Sequence, residues 1–187
     1  MKKLLRGLEK TASWRKVLLF LVGTAVFATC IMTQFFGLIE VNAKATMDSE
    51  TYYTADTFYQ NLEVQGPAGR RGYIMIHLLD YCFMVFFTLL FIYTIYLLVR
   101  KAGKSESLGY LALIPLVTGV SDLLENLCAD ISIGVYPDRI PILGSLAGYF
   151  TAVKMYVLYL VFALILVLAV MALVRLIIRK NAPAKSM

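Results

Sequence analysis

Asp122, Glu125 and Asn126 fall within the octapeptide VSDLLENL, residues 120–127, inside a stretch otherwise apolar enough for a membrane helix. Positions i, i+3 and i+4 are neighbours on a helix, so two carboxylates and a carboxamide share one face. That trio suits three kinds of chemistry. Two carboxylates in one environment can divide acid and base roles between them. They can hold a donor-rich headgroup through charge-assisted hydrogen bonds. They can also clasp a cation on a neighbouring helix and fix its register. A second apolar stretch carries His77, Asp80, Tyr81 and Met84 as a similar stripe, and a third holds Lys154. The candidate acid–base residues are therefore Asp80, Asp122 and Glu125. The candidate binding set is Asp122, Glu125, Asn126, Lys154, Asp80, His77 and Arg70.

Other chemistries lack their residues. The chain has a single histidine, which excludes a histidine-rich zinc site. His77 and Asp80 one turn apart are too unspecific a pair to define a metal site, and neither a metal nor a cofactor is expected. Cys30, Cys82 and Cys128 are odd in number and contain no C-x-x-C, so they read as apolar thiols rather than a disulfide framework. No nucleophile elbow or zinc-hydrolase signature is present.

The elements that must position these side chains are set by hydropathy. Of 187 residues, 60% are hydrophobic and 16% charged, the composition of an all-α integral membrane protein and not of a soluble domain. Crossing the hydrocarbon core takes about 20 apolar residues. Four stretches meet that length, at about 17–39, 73–99, 108–134 and 145–174, and predict a single four-helix, up-down membrane domain. Pro115, Gly119 and the acidic residues make the third the weakest. The net charge of +6 flanks these spans and does not form a groove lined with stacking aromatics, so nucleic acid is excluded as a partner.

Orientation follows from lysine and arginine in the connections. Thirteen lie in the N-terminal tail, the 100–107 loop and the C-terminal tail; the opposite side has only Lys44, Arg70, Arg71 and Arg139. Both termini are expected in the cytoplasm, in a cell membrane, with a compact basic-tailed plan of bacterial type. The basic start and the triplet Ala43-Lys44-Ala45 mimic a secretory signal, but the apolar run is longer than the usual h-region, so an uncleaved first helix is expected. Residues before it, LLRGLEKTASWRKVLLF, suit an interfacial helix with Trp14 among headgroups.

The one long outer loop spans about 40–72. Thr54 or Asp56 can cap a short helix there that puts Phe58, Tyr59 and Leu62 on one side and ends at Gly66-Pro67. Tyr52, Tyr53, Phe58 and Tyr59 suit a segment lying in the headgroup region. Arg70 and Arg71 then stand at the outer interface, within reach of lipid phosphates or of the acidic cluster. Gly144 and Gly148 form G-x-x-x-G, which permits close packing, dimerisation or a tight turn into the fourth span.

A helical rise of 1.5 Å per residue places the polar groups in depth. Glu125 and Lys154 lie about 14 Å below the outer end of their spans, Asp122 about 18 Å, Asp80 about 10 Å and His77 about 6 Å. All sit in the outer half, whereas the inner halves are almost wholly apolar. Charges at that depth cost at least about 2.5–3.5 kcal/mol each and should face one another. Asp80, Asp122 and Glu125 outnumber Lys154 and a protonated His77, so a shared proton, a cation, water or Arg70 must balance them. The leading expectation is an outward-facing polar site for a lipid headgroup or small polar ligand, or a subunit binding another membrane protein. Alternatives are a hydrolase or transferase acting on a lipid-linked substrate, and a transporter as an oligomer. The plainest is a polar cluster that only fixes helix packing.

Overall fold

The computed structural model describes residues 2–40, 50–103 and 106–181. Ala43-Lys44-Ala45 lies outside them, as do two of the thirteen basic residues counted above, Lys104 of the 100–107 loop and Lys185 of the C-terminal tail. The described residues are mostly helical, and no strand occurs among them: α1 (Lys2–Thr11), α2 (Trp14–Glu40), α3 (Ala55–Lys101), a 3-10 segment (Glu106–Leu113), α4 (Pro115–Gly134) and α5 (Pro141–Asn181). Four of these helical stretches are long and apolar enough to cross a membrane. Their outward faces are apolar too. Leu18, Leu19, Val22 and Val26 on α2, and Leu160, Leu166, Val167 and Val170 on α5, are about half exposed or more. Such a skin suits lipid, not water.

Local chemistry sets the element boundaries. Pro115 starts α4 at the first helical position, where its missing N–H leaves no bond unmade. The weakness of the third span thus marks the change from 3-10 to α geometry. The Thr54 side chain caps α3 by accepting from the Thr57 amide at 3.2 Å. Gly66, at φ 62 and ψ −176, breaks α3 immediately before Pro67. Glycine tolerates the positive φ, and the following proline disfavours a helical ψ. Residues 55–65 are therefore a separate helical arm hinged onto the long span that follows.

That arm differs from the expected interfacial helix. Phe58, Tyr59 and Leu62 are buried almost completely, as is Tyr53, and only Tyr52 stays exposed. The arm's apolar side packs with Tyr73, Cys128, Ala129, Ile133 and Ala147 into one core. Burial of that side outweighs the preference of aromatic rings for headgroups. Tyr59 further accepts from the Ile140 amide at 2.8 Å and donates to the Ile140 carbonyl at 3.0 Å, pinning the arm to the α4–α5 turn.

A second core joins Leu8 of α1, Phe91, Ile95 and Val99 of α3, Ala112 of the 3-10 segment, and Val161, Leu168 and Ala172 of α5. α2 packs mainly along α3, where Phe20 meets Tyr93 and Phe86, Phe27 meets Phe86, and Ile31 and Phe35 meet Ile76. Gly23 makes room for the Phe86 ring, and a side chain there would overlap it. All three cysteines are free thiols. Cys128 is buried, whereas Cys30 and Cys82 face outward from the helices.

A polar belt between the two cores as the candidate functional site

On each of the three central helices the polar residues lie between the two apolar cores. On α3 His77, Asp80 and Tyr81 fall between Tyr73 and Phe91; on α5 Thr151 and Lys154 fall between Ala147 and Val161. α4 supplies the remaining wall. Asp122, Glu125, Asn126, Ala129 and Asp130 follow the helical repeat along its length, so one face of α4 serves both neighbours.

Lys154 is the hub between α4 and α5. Its Nζ lies 2.6 Å from Glu125 Oε2 and donates to Asp122 Oδ1 at 3.0 Å. Glu125 is 1% exposed and Lys154 9%, so their charges are sheltered from water. Burying charges is costly, and only mutual pairing makes it tolerable. Tyr53, just before the hinged arm, reaches Glu125 Oε1 at 3.5 Å. The arm thus closes the belt from above.

Two more contacts link α4 to α3. Asn126, wholly buried, donates to Asp80 Oδ2 at 2.7 Å. Asp130 takes both His77, Nδ1 to Oδ1 at 2.6 Å, and Tyr81, whose hydroxyl donates to Oδ2 at 2.7 Å. His77 also tilts against the Tyr73 ring at 4.5 Å. Its carboxylate partner is therefore Asp130, across the helix interface, as well as sharing a stripe with Asp80. The Asp130 side chain is 25% exposed, the most open of the acids in these ion pairs within the belt.

The expected residues divide into three groups. Asp122, Glu125 and Lys154 meet directly; Asp80 and Asn126 meet each other; His77 joins through Asp130. Arg70 takes a different role. It donates to the Leu62 carbonyl at 2.7 Å and stacks over the Tyr136 ring at 4.0 Å. At the Gly66 break the last carbonyls of the arm lose their helical donors, and Arg70 supplies one. Gly144 and Gly148 do not await a second copy. A Cβ on Gly148 would collide with the Tyr53 carbonyl, and one on Gly144 would come 3.1 Å from the Ala55 Cα. The G-x-x-x-G lets the arm lie directly on α5.

Asp130 and Tyr53 are the residues that sequence reasoning missed. Asp130 follows Asn126 by four residues, so the same period that groups the first three extends to it. Nothing in the sequence around Tyr53 signals that it reaches Glu125. Buried polar atoms without a hydrogen-bond partner among the described residues include Asn126 Oδ1 and both amide atoms of Gln65 on the arm. Comparison with family models, curated proteins and solved structures returned no match.

Proposed function

We propose that the chain is an up-down four-helix protein of the cell membrane, with both termini cytoplasmic, whose polar belt binds an amine-bearing lipid headgroup or small polar amine. The ligand enters from the outer side, and residues 55–65 form the cover. One observation carries the reading: three acids, Asp122, Glu125 and Asp130, converge on two basic groups, Lys154 and His77, and a fourth, Asp80, is held by the neutral Asn126 carboxamide. An excess of carboxylates in a sheltered site favours a cationic, donor-rich occupant.

Other features support it. Buried polar groups are almost always hydrogen-bonded, so Asn126 Oδ1 and the Gln65 amide suit contacts to something other than protein. Asp130 supplies a partly open acid at the edge of the belt. Lysine and arginine in the connections support the orientation. The order of contacts, Phe20 with Tyr93 and Ile31 with Ile76, then Tyr81 with Asp130 and Thr88 with Gly119, supports helices of alternating direction.

A second reading is favoured by the bonds of Lys154, which already engages both Asp122 and Glu125: the belt is a clasp that sets helix register. Native mass spectrometry of the full chain in mild detergent separates the two. Phosphatidylethanolamine, phosphatidylcholine and free ethanolamine serve as probes, so headgroup and small amine are distinguished. A bound amine lost on Glu125→Gln and Asp130→Asn supports the site. A protein that holds no amine and is destabilised by Lys154→Met, and to a smaller extent by Glu125→Gln, establishes the clasp alone.

A further inference from the structure

The far end of α5 carries a groove unrelated to the polar belt. Ala102, Val170, Met171, Val174, Arg175, Ile178 and Arg179 line a cavity of about 440 Å³. Lys154 and Arg175 are 21 residues apart along one helix, which separates the two places by about 30 Å. The lining has a chemical gradient. Val170, Val174 and Ile178 recur every fourth residue and make one apolar ridge; Met171, Arg175 and Arg179 make the next, which turns basic toward the helix end. Ala102, at the end of α3, forms the opposite wall.

Among the described residues neither Arg175 nor Arg179 forms an ion pair. Arg175 lies against Gly103, which has φ 67 and no side chain to obstruct the guanidinium. Other cations surround this end: Arg100 bridges Glu9 at 3.3 Å, and Lys101 lies over Trp14 at 4.8 Å. The indole of Trp14 marks a membrane–water boundary.

We infer that this groove is a binding site for an anionic phospholipid. Its acyl chain lies along Val170, Val174 and Ile178, and its phosphate sits between Arg175 and Arg179. Charge complementarity selects this occupant. An apolar helix would leave two guanidiniums without anions, and a zwitterionic lipid would bring its own ammonium beside them, whereas the uncompensated phosphate of an anionic lipid pairs with arginine through parallel donors. The apolar ridge is continuous with the exposed face of α5, so a chain enters from the bilayer without crossing a polar barrier.

The test uses the full chain in mild detergent with dioleoyl-phosphatidylglycerol and dioleoyl-phosphatidylcholine, which differ only in headgroup, and native mass spectrometry to measure retention of each. Each basic residue near an anionic headgroup contributes about 1 kcal/mol, so the pair should give about a thirtyfold preference for the anionic lipid. Arg179→Gln should reduce that preference about fivefold, and Arg175→Gln with Arg179→Gln should abolish it. Val174→Trp, which fills the apolar wall and leaves both charges, should lower retention of both lipids. Lys10→Gln with Arg15→Gln removes two charges outside the groove and should change nothing. If Arg175→Gln perturbs folding through Gly103, as judged by circular dichroism, Arg179→Gln alone decides. The inference is overturned if the wild type shows no preference, if Arg179→Gln leaves the preference undiminished, if Val174→Trp has no effect, or if Lys10→Gln with Arg15→Gln abolishes it equally.

Discussion

Replacing Lys154 by methionine removes the cation that pairs with both Asp122 and Glu125 and keeps much of the volume and shape of the stem. In the wild type its Nζ is 2.6 Å from Glu125 Oε2 and 3.0 Å from Asp122 Oδ1. The side chains of the three residues are only 11%, 1% and 11% exposed, for Lys154, Glu125 and Asp122 respectively. Removing one partner of a buried pair typically costs about 3–5 kcal/mol, because the other charge is stranded. Lys154→Met should therefore lose about 3–5 kcal/mol at pH 7. Glu125→Gln leaves Asp122 on Lys154 and should lose less, about 1–2 kcal/mol. The triple variant Lys154→Met, Glu125→Gln, Asp122→Asn strands no charge and should recover much of the loss. Equilibrium unfolding in mixed detergent micelles, followed by circular dichroism, gives these differences. A Lys154→Met variant within about 0.5 kcal/mol of wild type, or a triple variant no more stable than Lys154→Met alone, would refute the buried hub.

Three other perturbations test the surrounding geometry. Gly148→Ala, which drives a Cβ into the Tyr53 carbonyl, should destabilise by about 1–3 kcal/mol through overpacking, and Gly144→Ala by less; the oligomeric state by light scattering should not change. A maleimide applied in detergent should modify Cys82 well before Cys128, and Gly148→Ala should speed the labelling of Cys128 by lifting the arm; equal rates in the wild type would contradict the packing over Cys128. Asp130→Leu, which strips His77 and Tyr81 of a shared acceptor, should lower stability by about 1–3 kcal/mol, and removing both partners with His77→Leu and Tyr81→Phe should restore part of it.

The sequence by itself determined the helical class and the four spans, because hydropathy over about 20 residues is a local property that the bilayer's thickness turns into structure. It also determined that Asp122, Glu125 and Asn126 share a face, since helical period alone requires it. Depth counting brought Lys154 level with Glu125 for the same reason: rise per residue is fixed. Even the Gly66-Pro67 break was legible, as backbone sterics act between neighbours.

What only the tertiary structure decided was the choice of partner. Period and depth leave several rotations of each helix equally good, and packing selects one. His77 is thereby committed to Asp130, and Asn126 to Asp80. Aromatic composition equally suited residues 52–59 to the headgroups or to a core. The small residues of α5 decided for the core, because Gly144 and Gly148 let the arm approach closely enough to bury Phe58 and Leu62 and bring Tyr53 to Glu125. Arg70 followed the arm's broken carbonyls instead of the acids. Local rules fix which groups are available at each level of the bundle, and the non-local fit of side chains into one another fixes which of them meet.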